Sequence, residues 1–203
     1  MTSAPLIVPI VEGHGEVEAV PLLLHRISKA LRPELVPKVN PPTRIKASSF
    51  LSDDAYFQKY IKLASAKAAK GNGLVLILLD CEDDFPCLLG PQLLEKAQSV
   101  RGDVSYLTAL AFREYETWFL TAAESLRGCS GLPGDLELPS NPESIRGAKE
   151  WLGRHMPNSY DPVIHQAAFT RQFDLEQASR NSSFGRLKQR IEAHLKHFHT
   201  RIP

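Results

Sequence analysis

The chain is poor in sulfur. Its three cysteines, an odd number, fit a reducing compartment better than a disulfide scaffold. Cys81 and Cys87 lack CxxC spacing and have no matching second pair, which argues against a zinc knuckle. No apolar run approaches the roughly 18 residues that a membrane span requires. Nor does the start resemble a signal peptide, because its apolar run is short, has no positive charge ahead of it and is interrupted by Pro9 and Glu12. A cytoplasmic protein is the expectation. No internal repeat is present, and neither sign of charge dominates: 24 Lys and Arg against 23 Asp and Glu leave a net charge of +1. That balance argues neither for nor against a polyanionic partner, since it averages acidic clusters with a basic end carrying Lys188, Arg190, Lys196 and Arg201.

What is present is one core's worth of apolar sequence, 43 % of 203 residues, with room for a smaller lobe beside it. LIVPIVE (Leu6 to Glu12) has the pattern of a buried first strand, and GHG supplies a turn after it. Val17, Val20, Leu23, Leu24, Ile27 and Leu31 recur at helical spacing, and Pro21 belongs in a first turn, so the helix is expected to begin between Glu16 and Ala19. A short strand is expected at Val36 to Val39, with NPPTRIKA after it as loop, then a helix from Asp53 to Lys70 ended by Gly71 and Gly73. Leu74 to Leu79 is a strand buried on both faces, followed by an acidic loop and a helix near Pro91 to Ser99; Val104 to Ala111 is the fourth strand. The alternation predicts an α/β fold, a mostly parallel sheet covered by helices. Beyond it lie a helical pattern from Glu114 to Leu126, a turn-rich connector, and helical pieces at Ser144 to His155, Ala168 to Ala178 and Ser183 to Phe198, read as a C-terminal helical extension that forms a lid or appended lobe. Residues 1–127 would form the core and 128–203 the connector and lobe.

In an open parallel sheet, functional groups gather outside the carboxyl ends of the strands. Three acidic groups are expected there: Glu12 after the first strand; Asp80, Glu82, Asp83 and Asp84 after Leu79; and Glu114 and Glu116 after the last. Like charges brought together raise one another's pKa unless a cation compensates them. Magnesium, an oxygen-seeking ion usually shared between carboxylates and substrate phosphates, would do so. Asp80 and Glu82 can both reach one ion if the backbone stays extended past the strand end. The bland reading is a solvated acidic loop.

VEG at Glu12 and Gly13, a β-α-β-α-β passage and then Asp80-Cys81-Glu82 after an apolar strand resemble the Toprim domain of topoisomerases, primases and overcoming-lysogenization-defect nucleases over about residues 5 to 115. The second acid of the Asp-x-Asp signature is here Glu82, which leaves open whether Asp83 or Asp84 takes its place. IVEGHGEVEAVP, LILLDCEDDFPCLLGP and AFREYETWFL look like a bacterial Toprim-like group known only as a domain of unknown function. The resemblance implies a Rossmann-like sheet and Mg2+ (or Mn2+) dependent cleavage of DNA or RNA. Glu12 would handle a proton or join the metal shell, Asp80 and Glu82 would anchor the ion, and Glu114 or Glu116 would complete a second metal position. It also implies, from the wider nuclease class, work beside an ATPase in anti-phage systems, and leaves homo-oligomerisation open. The alternatives are a non-catalytic interaction module on the same fold and a metal-dependent phosphatase or nucleotide hydrolase.

Other residues carry two readings each. Gly13 and Gly15 allow a tight turn or bring backbone N–H groups to a phosphate. His14 is an exposed turn residue or touches substrate or metal. Glu16 caps its helix or joins the cluster. Arg113 clamps a phosphate or pairs with the acids. Trp118 and Phe119 are expected in the core, and Trp151, between Lys149 and Arg154, as an anchor of the lobe. Arg171, Arg180, Arg186, Lys188 and Arg190 form a nucleic-acid stripe or a solvated helical face.

Overall fold

A computed structural model describes residues 4–71, 73–82 and 86–200, with side chains through 196. Its centre is a parallel sheet in the order β2-β1-β4-β5, where β1 is Leu6–Val11, β2 Lys38–Val39, β4 Leu74–Asp80 and β5 Ser105–Ala111; the two-residue β3, Thr43–Arg44, pairs with β1 beyond β2. Period-two alternation along β1 and β4 feeds two cores. Ile7, Val11, Leu74, Leu76 and Leu78 point to one face, and Val8, Ile10, Val75, Ile77 and Leu79 to the other. Each of these residues is buried, so each contributes on the order of 1.5–3 kcal/mol of transfer free energy. This accounts for the unbroken apolar run LVLILL, because a strand covered on both sides has no solvent face to mark with polar residues.

One face is closed by α2 (Ala47–Ser52), α3 (Asp54–Ala68) and α4 (Pro86–Val100). The other is closed by α1 (Glu16–Leu31), α5 (Glu116–Thr121) and the C-terminal helices α6 (Ala148–Arg154), α7 (Pro162–Gln172), α8 (Leu175–Ala178) and α9 (Ser182–Thr200). Phe169, Phe173, Phe184, Leu187, Ile191 and Leu195 belong to the same apolar cluster as β1 and β4, so the C-terminal helices are part of that core rather than a lid over it. Polar contacts lock them in place. Arg26 donates to the carbonyls of Thr170 (2.7 Å) and Phe173 (2.8 Å), and the fully buried Trp118 indole N–H finds Ser183 Oγ at 2.8 Å. Among the described residues no helix is long and apolar enough to cross a membrane.

The structure departs from the sequence expectations where prolines are concerned. α1 begins at Glu16 but carries Pro21 in its second turn, and α4 begins at Pro86 with Pro91 inside it. Each proline forfeits one amide hydrogen bond, a loss that a helix packed on a sheet tolerates. The proline-bearing segment expected as loop supplies β3, because Thr43 and Arg44 pair with Ile10 and Val11. The helix expected from Asp53 is preceded by α2, and Asp53 separates the two as an N-cap accepting from the amides of Ala55 (2.9 Å) and Tyr56 (3.1 Å).

Candidate functional site

The register sets the site. Ile10 lies opposite Ile77 and Asp80 opposite Ala111, so Glu12, one residue past β1, emerges next to the end of β4, with residues 112–116 on its other flank. Asp80 is held by its backbone neighbour across the edge: Oδ1 accepts the Tyr115 amide at 2.8 Å. Its Oδ2 accepts from Lys149 Nζ at 3.3 Å, and its side chain is 11 % exposed. Lys149 also lies 3.6 Å from Glu116 Oε2. Glu116, at the start of α5, is fully buried; its Oε1 accepts from the Tyr160 hydroxyl (3.0 Å) and Gln166 Nε2 (3.3 Å), while Oε2 has no hydrogen-bond partner. Glu114 Oε2 accepts the Lys149 backbone N–H at 3.1 Å, which fixes the start of α6 and delivers the lysine to the cluster.

Glu16 turns its carboxylate back onto the chain that precedes it. Its Oε2 accepts the amides of Glu12 (3.0 Å) and Gly13 (3.1 Å), so it ties down the turn before the helix rather than capping the helix itself, whose N-cap residue, Gly15, makes no side-chain capping bond, and at 3 % exposure it also sits behind the acidic cluster. These two N–H groups are therefore engaged internally, by the Glu16 carboxyl. Gly15 answers to packing: a Cβ there would lie 2.3 Å from both Gln166 Oε1 and the Pro162 carbonyl oxygen, where α7 begins. His14 is exposed between the two glycines, and its carbonyl accepts the Val17 amide.

Electrostatics in the cluster follow from burial with too few cations. Burial pushes the Glu16 carboxyl up to about 8, with Asp80 and Glu116 adding repulsion against the two amide hydrogen bonds. Burial lifts Glu116 to about 7 although Lys149 pulls it down, and Asp80 adds repulsion. Glu12 is raised by burial and by Asp80 and Glu82. Asp80 is raised by burial, against Lys149 and the Tyr115 amide. Burial opposes the charge on Lys149, but Glu116, Asp80 and Glu114 outweigh it and hold the ammonium in its protonated form. Glu12, Asp80, Glu114 and Glu116 thus share one ammonium, with Glu16 buried behind them.

The remaining candidates stand apart. Glu82 is exposed with φ of 41°, its N–H donating to the Arg113 carbonyl at 2.9 Å; the backbone does not stay extended past β4, so Asp80 and Glu82 do not simply share one side of a strand. The Glu82 charge still reaches Glu12. Arg113, with φ of 64°, donates from Nε to the Glu143 carbonyl (3.0 Å). Asp83 and Asp84 lie outside the described residues. Cys81 is buried and Cys87 exposed, and neither forms a disulfide. Trp118 and Phe119 are core residues, as expected. Of the basic stripe, Lys188 is engaged by Glu176 (2.5 Å), while Arg190 donates to the Thr108 carbonyl on the outer edge of β5 (2.6 Å).

Sequence reasoning missed Tyr160 and Gln166 and assigned Lys149 no part in the cluster. None carries a local signal, since each becomes a neighbour of Glu116 only because α6 and α7 fold back across the end of the sheet.

A family model described as a domain of unknown function, DUF4276, matches residues 11–192. The chain belongs to the DUF4276 family. The matched span contains Glu12, Glu16, Asp80, Glu116 and also Lys149, Tyr160 and Gln166, so the family unit includes both the strand-end acids and the C-terminal helices that complete the cluster. Comparisons with curated proteins and with solved structures give no match.

The donor set in this DUF4276 chain suits a hard divalent cation in chemistry and in charge: every donor is oxygen, the acids outnumber the ammonium, and Glu116 Oε2 is buried without a hydrogen-bond donor. Its arrangement is organised around Lys149 instead. Among the described residues, no group of three Asp, Glu, His or Cys side chains is placed to hold a metal ion as it stands.

Proposed function

We propose that the chain is a Toprim-like, Mg2+-dependent phosphodiesterase acting on DNA or RNA. The observation that carries this reading is the gathering of acids at the carboxyl edge of the sheet: Glu12, Glu16, Asp80 and Glu116 lie about the single ammonium of Lys149, and Glu116 Oε2 is buried with no hydrogen-bond donor, 3.6 Å from that ammonium. The Toprim-like assignment, finer than the family match, is supported by Glu12 and Asp80 standing at the ends of adjacent parallel strands. Asp80, Glu116 and Glu12 would hold the cation, which when bound supplies charge neutralisation and Lewis acidity at a phosphoryl oxygen.

Each side chain has a task consistent with its setting. Asp80 is oriented by the Tyr115 amide and Glu116 by Tyr160 and Gln166, so both are rigid. Glu12 is half-buried, and its raised pKa suits it to take the proton that an attacking water gives up. The water oxygen forms the new bond to phosphorus, and the ester oxygen departs and takes a proton from solvent. Lys149 places a fixed positive charge beside the phosphate.

The second reading, a non-catalytic module, is favoured by the same lysine, because Nζ already bridges Asp80 and Glu116. The two are separated by metal-dependent cleavage of single- and double-stranded DNA and RNA, with Glu12→Gln and Asp80→Asn alongside the wild type, and by calorimetric titration with Mg2+ and Mn2+. Cleavage lost in both variants establishes the phosphodiesterase. Metal binding without cleavage points to a required partner, such as an ATPase, or to a smaller phosphate substrate, and no metal binding favours the module.

A further inference from the structure

Beside the acidic edge lies a cleft that the proposed chemistry does not use. It runs between α4 and α9 along the outer edge of β5, has a volume of about 220 Å3, and is lined by Cys87, Gly90, Thr108, Ser183, Arg186 and Arg190 among others. Among the described residues, two guanidinium groups line it and no carboxylate does. We infer that this cleft is the subsite for the sugar-phosphate backbone of a nucleic acid, an inference that rests on the phosphodiesterase reading.

Three features support it. First, the arginines are one helical turn apart on α9, and each is anchored by a single nitrogen to a neutral carbonyl: Arg186 Nε to Ser182 (3.1 Å) and Arg190 Nη1 to Thr108 (2.6 Å). A guanidinium carries five N–H donors, so each keeps donors for a phosphate, and anchoring lowers the entropy lost when one binds. Among the described residues neither is paired with a carboxylate, so the positive charge is uncompensated.

Second, the cleft adjoins the acidic edge. Its floor is Thr108 to Leu110; Ala111, the next residue, pairs with Asp80, and Ser183 Oγ accepts the Phe112 amide at 3.1 Å. A strand with one phosphate at Asp80 would have its neighbouring backbone directed along this edge. Third, the volume equals that of about seven water molecules at roughly 30 Å3 each, room for one phosphate with part of its sugar.

The test is fluorescence anisotropy with labelled 12-nucleotide single-stranded DNA and RNA, in EDTA so that nothing is cleaved, over a series of KCl concentrations. Arg186→Ala removes a side chain whose only anchor is its own helix turn, so folding is retained; Arg186→Glu reverses its charge. Lys67→Ala and Lys70→Ala, at the far end of the sheet, control for loss of charge alone. The expected result is an affinity about tenfold weaker in Arg186→Ala and weaker still in Arg186→Glu, the cost of one charged hydrogen bond. The slope of log Kd against log salt should flatten by about 0.7 per lost contact. Arg190→Lys should keep the slope and weaken binding, because charge survives and the fork does not. A wild type that cleaves a strand while both Arg186 variants bind like it, or while the lysine controls weaken binding equally, overturns the cleft and leaves the phosphodiesterase standing. A wild type that neither binds nor cleaves any of the polymers overturns both.

Discussion

Glu116→Gln should make the protein more resistant to urea at pH 8 than the wild type, and should give up most of that advantage at pH 5. Glu116 is fully buried, and its pKa is raised from 4.5 to about 7, first by burial. A carboxyl whose pKa is raised on folding contributes stability that is fully present below its unfolded pKa and is lost as pH rises through its folded pKa. The window for Glu116 therefore runs from about 4.5 to 7. At 1.36 kcal/mol per pKa unit the full shift is worth about 3 kcal/mol, of which about 2–3 kcal/mol is lost between pH 5 and pH 8. Glutamine has no charge to impose. Its amide oxygen can keep accepting from Tyr160 and Gln166, so the hydrogen bonds at Oε1 survive. Whatever the amide itself contributes is the same at both pH values. The difference between variant and wild type should thus move by about 2–3 kcal/mol in the variant's favour from pH 5 to pH 8, read by urea unfolding through tryptophan fluorescence. On the phosphodiesterase reading, Mg2+ at pH 8 should narrow the gap by stabilising only the wild type. A difference that stays constant with pH would refute the claim that Glu116 titrates as a buried, under-compensated acid.

Three further substitutions test other parts of the cluster. Lys149→Met leaves Asp80 and Glu116 without their ammonium and should cost about 3 kcal/mol at pH 8, less at pH 5 where the acids carry protons; an equal loss at both pH values in urea unfolding would assign the lysine a packing role only. Gly15→Ala should cost at least 1–3 kcal/mol, since its Cβ would lie 2.3 Å from the Pro162 backbone and the α1–α7 junction would have to open; a neutral result by thermal melting would show that the junction is plastic. Glu82→Gly removes a non-glycine residue from φ of 41° and should stabilise the fold by up to about 1 kcal/mol, so a loss of stability in the same melt would mean that the turn at Glu82 carries no strain.

Much of the fold was legible because it rests on local pattern. LVLILL and LIVPIV are strands covered on both faces, and such strands announce themselves by lacking polar interruptions. The strand-end acids were legible for the same reason: Glu12 and Asp80 are the first charges after these runs, and parallel pairing puts them side by side. Proline misled at both α1 and α4, where tertiary packing outweighs the lost hydrogen bond. The pairing of Asp80 with Glu82 on one ion was conditional on an extended backbone, and the chain instead turns left-handed at residue 82. Lys149 could not be identified, because its place depends on the Glu114 carboxylate catching a backbone amide 35 residues further along the chain.

Stability considerations bear on why such a cluster exists. Burying carboxylates that repel one another costs folding free energy at neutral pH, and apolar replacements of similar volume would relieve it. One lysine cannot neutralise Glu12, Glu16, Asp80 and Glu116 together, and all four are raised, first by burial and then by one another. If Lys149 were the whole answer, a purely structural bridge, its pairing with Asp80 and Glu116 would suffice, and the extra burden of Glu16 and Glu12 would serve nothing beyond the Glu16 bonds to the Glu12 and Gly13 amides. Glutamine, of the same reach, could accept from those two amides without bringing a buried charge. The surplus is intelligible when a further cation, or a phosphate accompanied by one, is the ligand: the free protein is held in a charged, oriented and incompletely compensated state, and binding relieves what folding imposes. Lys149→Met separates these accounts through metal affinity. A structural bridge requires the cluster to collapse and bind no Mg2+, whereas a site built for a divalent cation should bind it more tightly once the competing ammonium is gone.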